Sequence, residues 1–351
     1  MIIPEFRKLI KASTSGRRLM PSGKKFRKGA LEQYEAVLKL LEEFQKLLDQ
    51  PLRIQLLARS SLRTMQKEKI YWTRFFKKFI AFLYKQKGYY DQYTGAVLKV
   101  IKTFFNYLSV EKSLPVGEFH KQFRVPAEHF TPVILSPSQL RRMIIDKNFE
   151  HSLSHSLQRT KDIFVFGCTV GLRFWDLMNL KKTNIQYTDE GVYVILHTQK
   201  TGAEIKVPLP SYATDIISKY KKETGRFVLP RLSGTNLNLQ IKELMKRAGW
   251  DYSLPKIRHR LGEPVEIKTR TRESYRFYDH ITAHSMRRTA ITTLLILGVD
   301  ENSVRRISGH SPGSKEFYRY VVVVQDFLNA KVKKAQDLLI NGKDSLFEIS
   351  A

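Results

Sequence analysis

Apolar residues recur with a helical period over the first third of the chain. The rhythm i, i+3, i+4, i+7 is carried by Leu31, Tyr34, Val37, Leu38, Leu41, Phe44 and Leu48. Two further amphipathic segments follow, at roughly residues 63–86 and 93–111. We therefore predict an all-helical domain over residues 29–113.

The second of these segments combines an aromatic stripe with basic residues. The stripe consists of Tyr71, Trp72, Phe75, Phe76, Phe79, Phe82 and Leu83, and the basic residues are Lys67, Lys69, Arg74, Lys77 and Lys78. Aromatic residues at helical spacing are typical of a core, because they share one face of the helix. The basic residues on the other faces could then grip phosphates, so the domain is predicted to bind DNA.

Two segments around this domain lack a helical pattern. Residues 1–28 contain nine Lys or Arg and one acidic residue, and Gly16, Pro21 and Gly23 interrupt any helix. This composition predicts a mobile basic arm that orders on a polyanion, with a plain solvated tail as the alternative. Three prolines in residues 114–133 predict an extended linker.

A second domain is predicted over residues 134–340. It opens at Ser136-Pro137, a hydroxyl cap followed by an early proline, which is typical of a helix start. The apolar period then changes from the helical one to two, at Val192, Val194 and Leu196 and again at Ile205, Val207 and Leu209. This pattern predicts a β-hairpin with Gln199-Lys200-Thr201-Gly202 at its tip. Helices return at about residues 235–248 and from residue 284 onward, so the fold class is mainly α with a small β-hairpin or sheet.

The composition indicates which class of molecule the protein binds. The 351 residues carry 61 Lys and Arg against 33 Asp and Glu, a formal charge of +28, which favours a polyanion and most often nucleic acid. The single cysteine, Cys168, lies in an apolar run and excludes a disulfide framework or a Cys-based zinc finger. We find neither a signal peptide nor an apolar run long enough to cross a bilayer. The sequence thus predicts a cytoplasmic protein, nucleoid-associated in a bacterium, with no membrane partner.

Candidate chemistry is concentrated near the end of the chain. His284 and Arg287 are three residues apart and share one helix face, and His310 follows a glycine. Two tyrosines, Tyr318 and Tyr320, come next. Charge clamps, proton carriers and a phenol are the groups needed to move a phosphodiester onto a tyrosine oxygen.

With these residues placed, the second domain resembles the catalytic domain of the tyrosine recombinases, also called the phage integrase family. The resemblance rests on Gly171-Leu172-Arg173 with Asp176, Lys200 in a β-turn, His284-x-x-Arg287, Gly309-His310 and a tyrosine before valine, in that order. It covers roughly residues 134–335, and the preceding helical module resembles the family's core-binding domain. The resemblance implies a site-specific recombinase that cuts and rejoins double-stranded DNA through a 3′-phosphotyrosyl bond.

The charged residues of the set have physical roles in this chemistry. Phosphoryl transfer places negative charge on the non-bridging oxygens, and a guanidinium donates paired hydrogen bonds to them without losing its charge. Arg173 and Arg287 are the candidates, although Arg173 could instead pair with Asp176 or cap a helix. Lys200 is the candidate acid for the leaving 5′ oxygen, because nearby cations lower the pKa of a lysine.

The remaining roles fall to the histidines and the tyrosines. His284 could exchange a proton with the tyrosine hydroxyl or donate to the phosphate, and His310 could hydrogen-bond a phosphate oxygen. Tyr320 lies ten residues after His310 and Tyr318 eight, on either side of the family's usual spacing. The motif around Phe317 and the following valine favour Tyr320 as the nucleophile, with Tyr318 as the runner-up.

No nucleotide-binding loop or metal-ligand motif is evident, so no cofactor is predicted. Residues 326–340 are predicted to form an amphipathic tail helix, and the resemblance implies that it packs on a neighbouring subunit in a homotetramer; packing on its own domain is the alternative.

The basic arm favours the integrase of a mobile element. Three other functions stay open: a type IB topoisomerase, a non-catalytic descendant and an electrostatic DNA binder. A carboxylate-metal transposase has no identifiable triad.

Overall fold

Helices form most of the chain in the computed structural model, which describes residues 1–126, 131–197, 204–311 and 313–341. The helices are α1 Ile2–Thr14, α2 Lys28–Gln45, α3 Leu62–Ala81, α4 Asp91–Asn106, α5 Pro137–Ile145, α6 Lys147–Ser152 and α7 His155–Val170. They continue as α8 Phe174–Met178, α9 Ser211–Tyr220, α10 Gly234–Arg247, α11 Phe277–His280, α12 Ala283–Ile296, α13 Glu301–Ser308 and α14 Lys315–Asn341. The strands are β1 Ile185–Thr188, β2 Gly191–His197, β3 Glu204–Leu209, β4 Lys256–Arg260 and β5 Glu263–Ile267. The predicted fold class, mainly helical with a small sheet, is confirmed.

The chain divides into two compact units, and the division differs from the predicted one. The first unit is Met1–His129 together with Lys256–Ile267, and the second is Phe130–Pro255 together with Lys268–Ala351. The β4–β5 hairpin therefore belongs to the helical unit although its sequence lies within the predicted catalytic domain, 134–340. No local pattern in the sequence predicts that the hairpin belongs to this unit, because the hydrogen bond between Leu261 and Asp91 joins segments about 170 residues apart.

The prediction of a mobile arm over residues 1–28 is wrong for its first half. Helix α1 buries Ile2, Phe6 and Leu9 in the core of the first unit, and the Ile2 amide donates to the Leu52 carbonyl over 3.0 Å. These apolar residues repeat at helical spacing, which the count of basic residues obscured. Arg18 is also held, because its guanidinium donates to the Glu111 carboxylate at 2.7–2.9 Å.

Helix α3 carries the aromatic stripe on its buried face. Trp72, Phe75 and Phe79 are buried, and the Phe44 ring of α2 packs against Phe79 with ring centroids 5.0 Å apart. The basic residues predicted to flank the stripe, Lys67, Lys69, Arg74, Lys77 and Lys78, are all exposed. The predicted separation of core and cationic faces on this helix is confirmed.

The predicted linker, residues 114–133, is drawn partly into the same unit. Val116 and Phe123 are buried in its core, and Phe119–Gln122 forms a short 3₁₀ turn between them. Residues 127–130 of the linker lie outside the described part of the chain. Apolar residues between the prolines therefore override the extended character that the prolines suggested.

The β4–β5 hairpin is fastened to the first unit by a buried carboxylate. Asp91 is 1% exposed and accepts from the backbone amides of Leu261 and Gly262 over 2.8 and 2.9 Å. The Tyr84 hydroxyl donates to the same carboxylate over 2.6 Å. Three donors thus compensate the cost of burying this charge.

Helix α7 is the centre of the second unit. Eleven of its residues are buried, including Ile163 to Phe166 and Cys168, whose thiol pKa is raised by burial, as expected of an inert thiol. Helix α12 packs directly against α7 at Gly167, where a Cβ would lie only 2.5 Å from Met286 Sδ. The absence of a side chain at residue 167 therefore sets how closely the two helices approach.

The predicted strand pattern is confirmed as an antiparallel sheet in the order β1-β2-β3. Val194 pairs with Val207, and both side chains are buried against the core. Strand β1 was not predicted, because it is short and has one buried residue. The predicted hairpin tip, with Lys200, lies in residues 198–203, outside the described part of the chain.

The predicted tail helix is longer than expected. Helix α14 begins at Lys315 and runs without interruption through Tyr320 to Asn341. Within the described ranges, none of the helices is long and apolar enough to cross a membrane.

Candidate active site

Arg173 enters the site from a sharp turn after α7. The helix ends at Gly171, whose φ of 61° is in the left-handed region that glycine adopts most readily, and Arg173 then precedes α8. A Cβ at Gly171 would lie 3.3 Å from the Ala290 Cβ of α12, so the turn also packs closely. Arg173 Nη1 is buried without a hydrogen-bond partner among the residues that the structure describes. A buried donor of this kind is costly unless a ligand satisfies it.

Arg287 is the most deeply held cation of the site. It is 2% exposed, and its Nη1 and Nη2 donate to the carbonyls of Gly171 and Ser308 over 2.9 and 2.5 Å. The pKa of Arg287 is lowered to about 10, chiefly by burial and next by the charge of Arg173, whereas Tyr320 and Asp176 act to raise it. The guanidinium thus ties the α7 turn to the end of α13.

His310 follows α13 directly. The helix ends at Gly309, again with a left-handed φ of 62°, and this turn brings the imidazole beside Arg287. Arg287 Nη2 lies 3.2 Å from His310 Nδ1 and 3.3 Å from Nε2, and Ser308 Oγ lies 2.8 Å from Nδ1.

The two candidate tyrosines occupy different environments on α14. Tyr320 is 7% exposed, its ring centroid lies 5.9 Å from that of His310, and it lines the same cavity as Arg287 and Arg288. Tyr318 is 52% exposed, and its ring faces Arg305 at 5.3 Å. Only Tyr320 of this pair reaches the cations of the site.

A cavity of about 220 Å³ joins these groups. Five of the six predicted residues line it, namely Arg173, His284, Arg287, His310 and Tyr320. The sixth, Lys200, lies outside the described part of the chain. His284 is the most exposed of the five, on the first turn of α12. Across the described ranges we find no group of side chains suited to hold a metal ion.

Two arginines of the cavity, Arg288 and Arg319, were not predicted from the sequence. Burial lowers the pKa of Arg288, the electrostatic interaction with Tyr320 raises it, and the charge of Arg319 lowers it. Arg288 is adjacent to the recognised His284-x-x-Arg287 motif, so the doubled arginine was the available signal. Arg319 lies outside the recognised motifs, so the sequence offered no comparable signal for it.

A model of the phage integrase family matches residues 135–324, more than half of the chain. The chain belongs to the phage integrase family. This integrase is therefore a tyrosine recombinase, an enzyme of DNA strand breakage and rejoining, as the sequence motifs predicted.

Curated relatives carry the same class of name. Tyrosine recombinase XerA of Thermococcus onnurineus is 23% identical over 310 residues, which cover 85% of the integrase and 96% of the relative. XerA of Thermococcus kodakarensis is 23% identical over 259 residues, covering 73% and 79%. XerC of Bacillus licheniformis is 23% identical over 242 residues, covering 67% and 72%.

Solved structures share the fold. A lambda integrase tetramer bound to a Holliday junction aligns with a TM-score of 0.58 at 14% identity, covering 89% of the integrase and 78% of that chain. The XerH recombinase in a post-cleavage complex with difH aligns with a TM-score of 0.59 at 12% identity, covering 86% and 79%. The Tn1549 transposon integrase in complex with circular intermediate DNA aligns with a TM-score of 0.54 at 15% identity, covering 91% of the integrase and 94% of that chain.

Proposed function

We propose that the integrase cleaves one DNA strand by attack of Tyr320 on the scissile phosphate and rejoins strands by the reverse reaction. The observation that carries this proposal is the cavity in which Tyr320 meets Arg173 and Arg287, with a buried donor of Arg173 left unpaired by described residues. A phosphate oxygen is an acceptor of suitable charge for that donor.

In the proposed reaction, the side chains of the cavity have different roles. Arg173 and Arg287 hold the non-bridging oxygens, where the transition state gathers negative charge. Tyr320 loses its proton to a histidine of the cavity, and its oxygen attacks phosphorus. The bond from phosphorus to the 5′ oxygen breaks, and Lys200 supplies the proton to that oxygen. The 3′-phosphotyrosyl bond conserves the energy of the phosphodiester, so that rejoining needs no nucleotide cofactor.

Arg288 adds a third guanidinium, directed at the nucleophile. Arg288 lines the cavity together with Tyr320 and interacts with it electrostatically, which places a positive charge near the oxygen where the phenolate forms. Because the site is partly dehydrated, this charge acts more strongly than it would in water. We assign Arg288 the role of stabilising the attacking oxygen.

The proposed substrate is double-stranded DNA at a specific site, gripped by both units. The exposed basic residues of α3, with the net charge of +28, support a core-binding role for the first unit. We propose a mobile element as the source of the site, in keeping with the fold shared with lambda integrase and the Tn1549 transposon integrase. Excision junctions amplified from DNA that flanks the gene would support this role, and an invariant chromosomal locus without terminal repeats would contradict it.

We also propose a homotetramer on DNA, assembled by exchange of the end of α14. Exposed apolar side chains support this exchange, among them Val332, Leu338 and Leu339. Sedimentation of the integrase on a synthetic four-way junction should give four protomers per junction. A Leu338→Glu and Leu339→Glu variant should stop at lower stoichiometry, and an unchanged tetramer would contradict exchange through this surface.

Covalent capture on a nicked suicide substrate tests the chemistry. Wild type and Tyr318→Phe should form a protein–DNA adduct, whereas Tyr320→Phe should form none and still bind DNA. Adduct formation that survives Tyr320→Phe and is lost in Tyr318→Phe would move the role of nucleophile to Tyr318. No adduct from wild type despite DNA binding would refute the proposal, and relaxation of supercoiled plasmid by the monomer would favour a topoisomerase.

A further inference from the structure

Trp175 is an exposed aromatic side chain two residues after Arg173. The chain has three tryptophans. Trp72 and Trp250 are 2% and 8% exposed, whereas Trp175 is 64% exposed. Tryptophan side chains are well buried on average, because a ring of this size in water forgoes the free energy of its burial. Trp175 therefore presents an apolar surface that no step of the proposed reaction uses.

Packing around α8 fixes the place of this ring. Phe174 packs against the start of α10, where a Cβ at Gly234 would lie 3.3 Å from the Phe174 ring. The rings of Phe174 and Trp175 meet edge to face, with centroids 5.2 Å apart. The Asn179 side chain donates to the Trp175 carbonyl over 2.8 Å. The backbone of Trp175 is therefore held in place while its ring stays exposed.

The ring lies within about two nucleotides of the phosphate that Arg173 is proposed to hold. The Cα atoms of residues two apart are separated by at most about 7 Å. A strand of B-form DNA advances by about 3.4 Å per nucleotide. The flat face of an aromatic ring stacks on the face of a base. The base next to the cleaved bond is therefore within reach of Trp175.

The surface that continues from Trp175 is basic, which favours DNA as the partner. Arg231 Nη2 donates to Asn179 Oδ1 over 3.3 Å, and Asn179 is the residue that donates to the Trp175 carbonyl. Arg226 and Arg231 are both exposed, and their guanidiniums face the Phe227 ring at 5.0 and 4.7 Å. Guanidiniums bind phosphates, whereas two copies of this surface would repel each other. A polyanion therefore fits this surface better than a second copy of it.

We propose that Trp175 is a DNA contact whose ring stacks on the base next to the scissile phosphate and so holds that phosphate beside Arg173. The inference rests on the proposed function. Every base presents an aromatic face, so the stack adds affinity and position without selecting a base. The contact lies outside the cavity that Tyr320 lines, and the tryptophan takes part in no bond making or breaking.

Acrylamide quenching of tryptophan fluorescence in the full chain tests the contact. We expect the suicide duplex to reduce the quenching of wild type, because Trp175 is the exposed tryptophan. Trp175→Phe keeps only the two buried tryptophans and should be quenched weakly with or without DNA. Quenching of wild type that is unchanged at saturating DNA overturns the proposal. Protection that appears without DNA as the protein concentration rises assigns the ring to a second copy and also overturns it.

Removing the stacked base tests where the ring binds. Tyr320→Phe, measured without cleavage, should bind a duplex that lacks the base next to the scissile phosphate about 5- to 150-fold more weakly than the intact duplex, the usual cost of one aromatic stack. Adding Trp175→Ala should weaken binding to the intact duplex by a similar factor, with no further loss on the abasic duplex. Adding Trp175→Phe instead should keep most of the affinity. Equal losses from the abasic site with and without Trp175 overturn the stack.

Tyr187→Ala is the matched control, because Tyr187 is an aromatic residue of the same unit that is 71% exposed on β1. It should leave the affinity for both duplexes unchanged. If wild type forms no adduct, the proposed function fails, while the fluorescence still decides whether Trp175 contacts DNA. Wild-type affinity and a wild-type rate of adduct formation in Trp175→Ala overturn this inference alone.

Discussion

Replacing Gly167 with alanine should disturb both the stability and the chemistry of the integrase. Gly167 lies in α7 at the point where α12 crosses closest, and an added Cβ would meet Met286 Sδ at 2.5 Å and Met286 Cβ at 3.2 Å. Met286 is fully buried and precedes Arg287 directly, so it has little room to turn away. The strain should therefore be transmitted to Arg287, which we propose holds the phosphate.

Two effects of opposite sign determine the magnitude. Heavy atoms in good contact lie about 3.5–4.0 Å apart, so the Sδ contact is too short by about 1 Å, and overpacking a core costs about 1–3 kcal/mol. Alanine also has the higher helix propensity, which returns about 1 kcal/mol. The net expectation for Gly167→Ala is a loss of about 1 kcal/mol. A displacement of Arg287 by a fraction of an ångström should slow adduct formation by at least about tenfold, because misplacement by 1 Å can cost about 100-fold.

Urea denaturation and suicide-substrate kinetics measure the two effects. Gly95→Ala on α4 is the matched control, because its Cβ would meet only a methyl group of Val125 at 3.4 Å and should leave the integrase equally or more stable. Adding Met286→Ala to Gly167→Ala should cost less than the sum of the single changes, since it removes the clashing atom. A Gly167→Ala variant that is as stable as Gly95→Ala and cleaves at the wild-type rate would refute the reasoning.

Three further changes have defined outcomes. Asp91→Ala leaves the Tyr84 hydroxyl and two backbone amides of the β4–β5 turn without their acceptor, and should cost about 3 kcal/mol in guanidinium denaturation; a loss below about 1 kcal/mol would contradict this. Burial alone would raise the pKa of Glu150, but hydrogen bonds from Lys147 and Lys161 lower it to about 2. The ionised carboxylate therefore stabilises the folded state at pH values above its unfolded pKa of about 4.5. This stabilisation is lost as the pH falls from about 4.5 to 2. Glu150→Gln should therefore remove up to about 3 kcal/mol at pH 7 and much less at pH 3, and a loss independent of pH would exclude this origin. Arg288→Gln should slow single-turnover adduct formation at least about tenfold with little change in DNA affinity, and an unchanged rate would exclude a role at Tyr320.

Local periodicity and motif spacing predicted the parts of the molecule that depend on neighbouring residues. The buried face of α3 and the paired strands β2 and β3 follow from apolar spacing, because burial selects side chains at the period of the element. The grouping of Arg173 with Tyr320 in one cavity followed from motifs whose order along the chain is fixed by the fold. Two features were missed, for different reasons. Asp91 receives the hairpin turn from far along the chain, and α1 was mistaken for a mobile arm because its charges masked its apolar repeat.

The site is built on two cores of unequal size, and this division affects the chemistry. Arg173 and Arg287 are held where α7 and α12 pack, beside the large cluster of the second unit. Tyr320 belongs to a separate cluster of seven buried residues formed by α12, α13 and α14. A small cluster opens at lower free energy than a large one, since opening exposes less apolar surface. We therefore expect the part of α14 that carries Tyr320 to open more readily than the α7 turn that carries Arg173, so that in the proposed mechanism the nucleophile moves independently of that arginine.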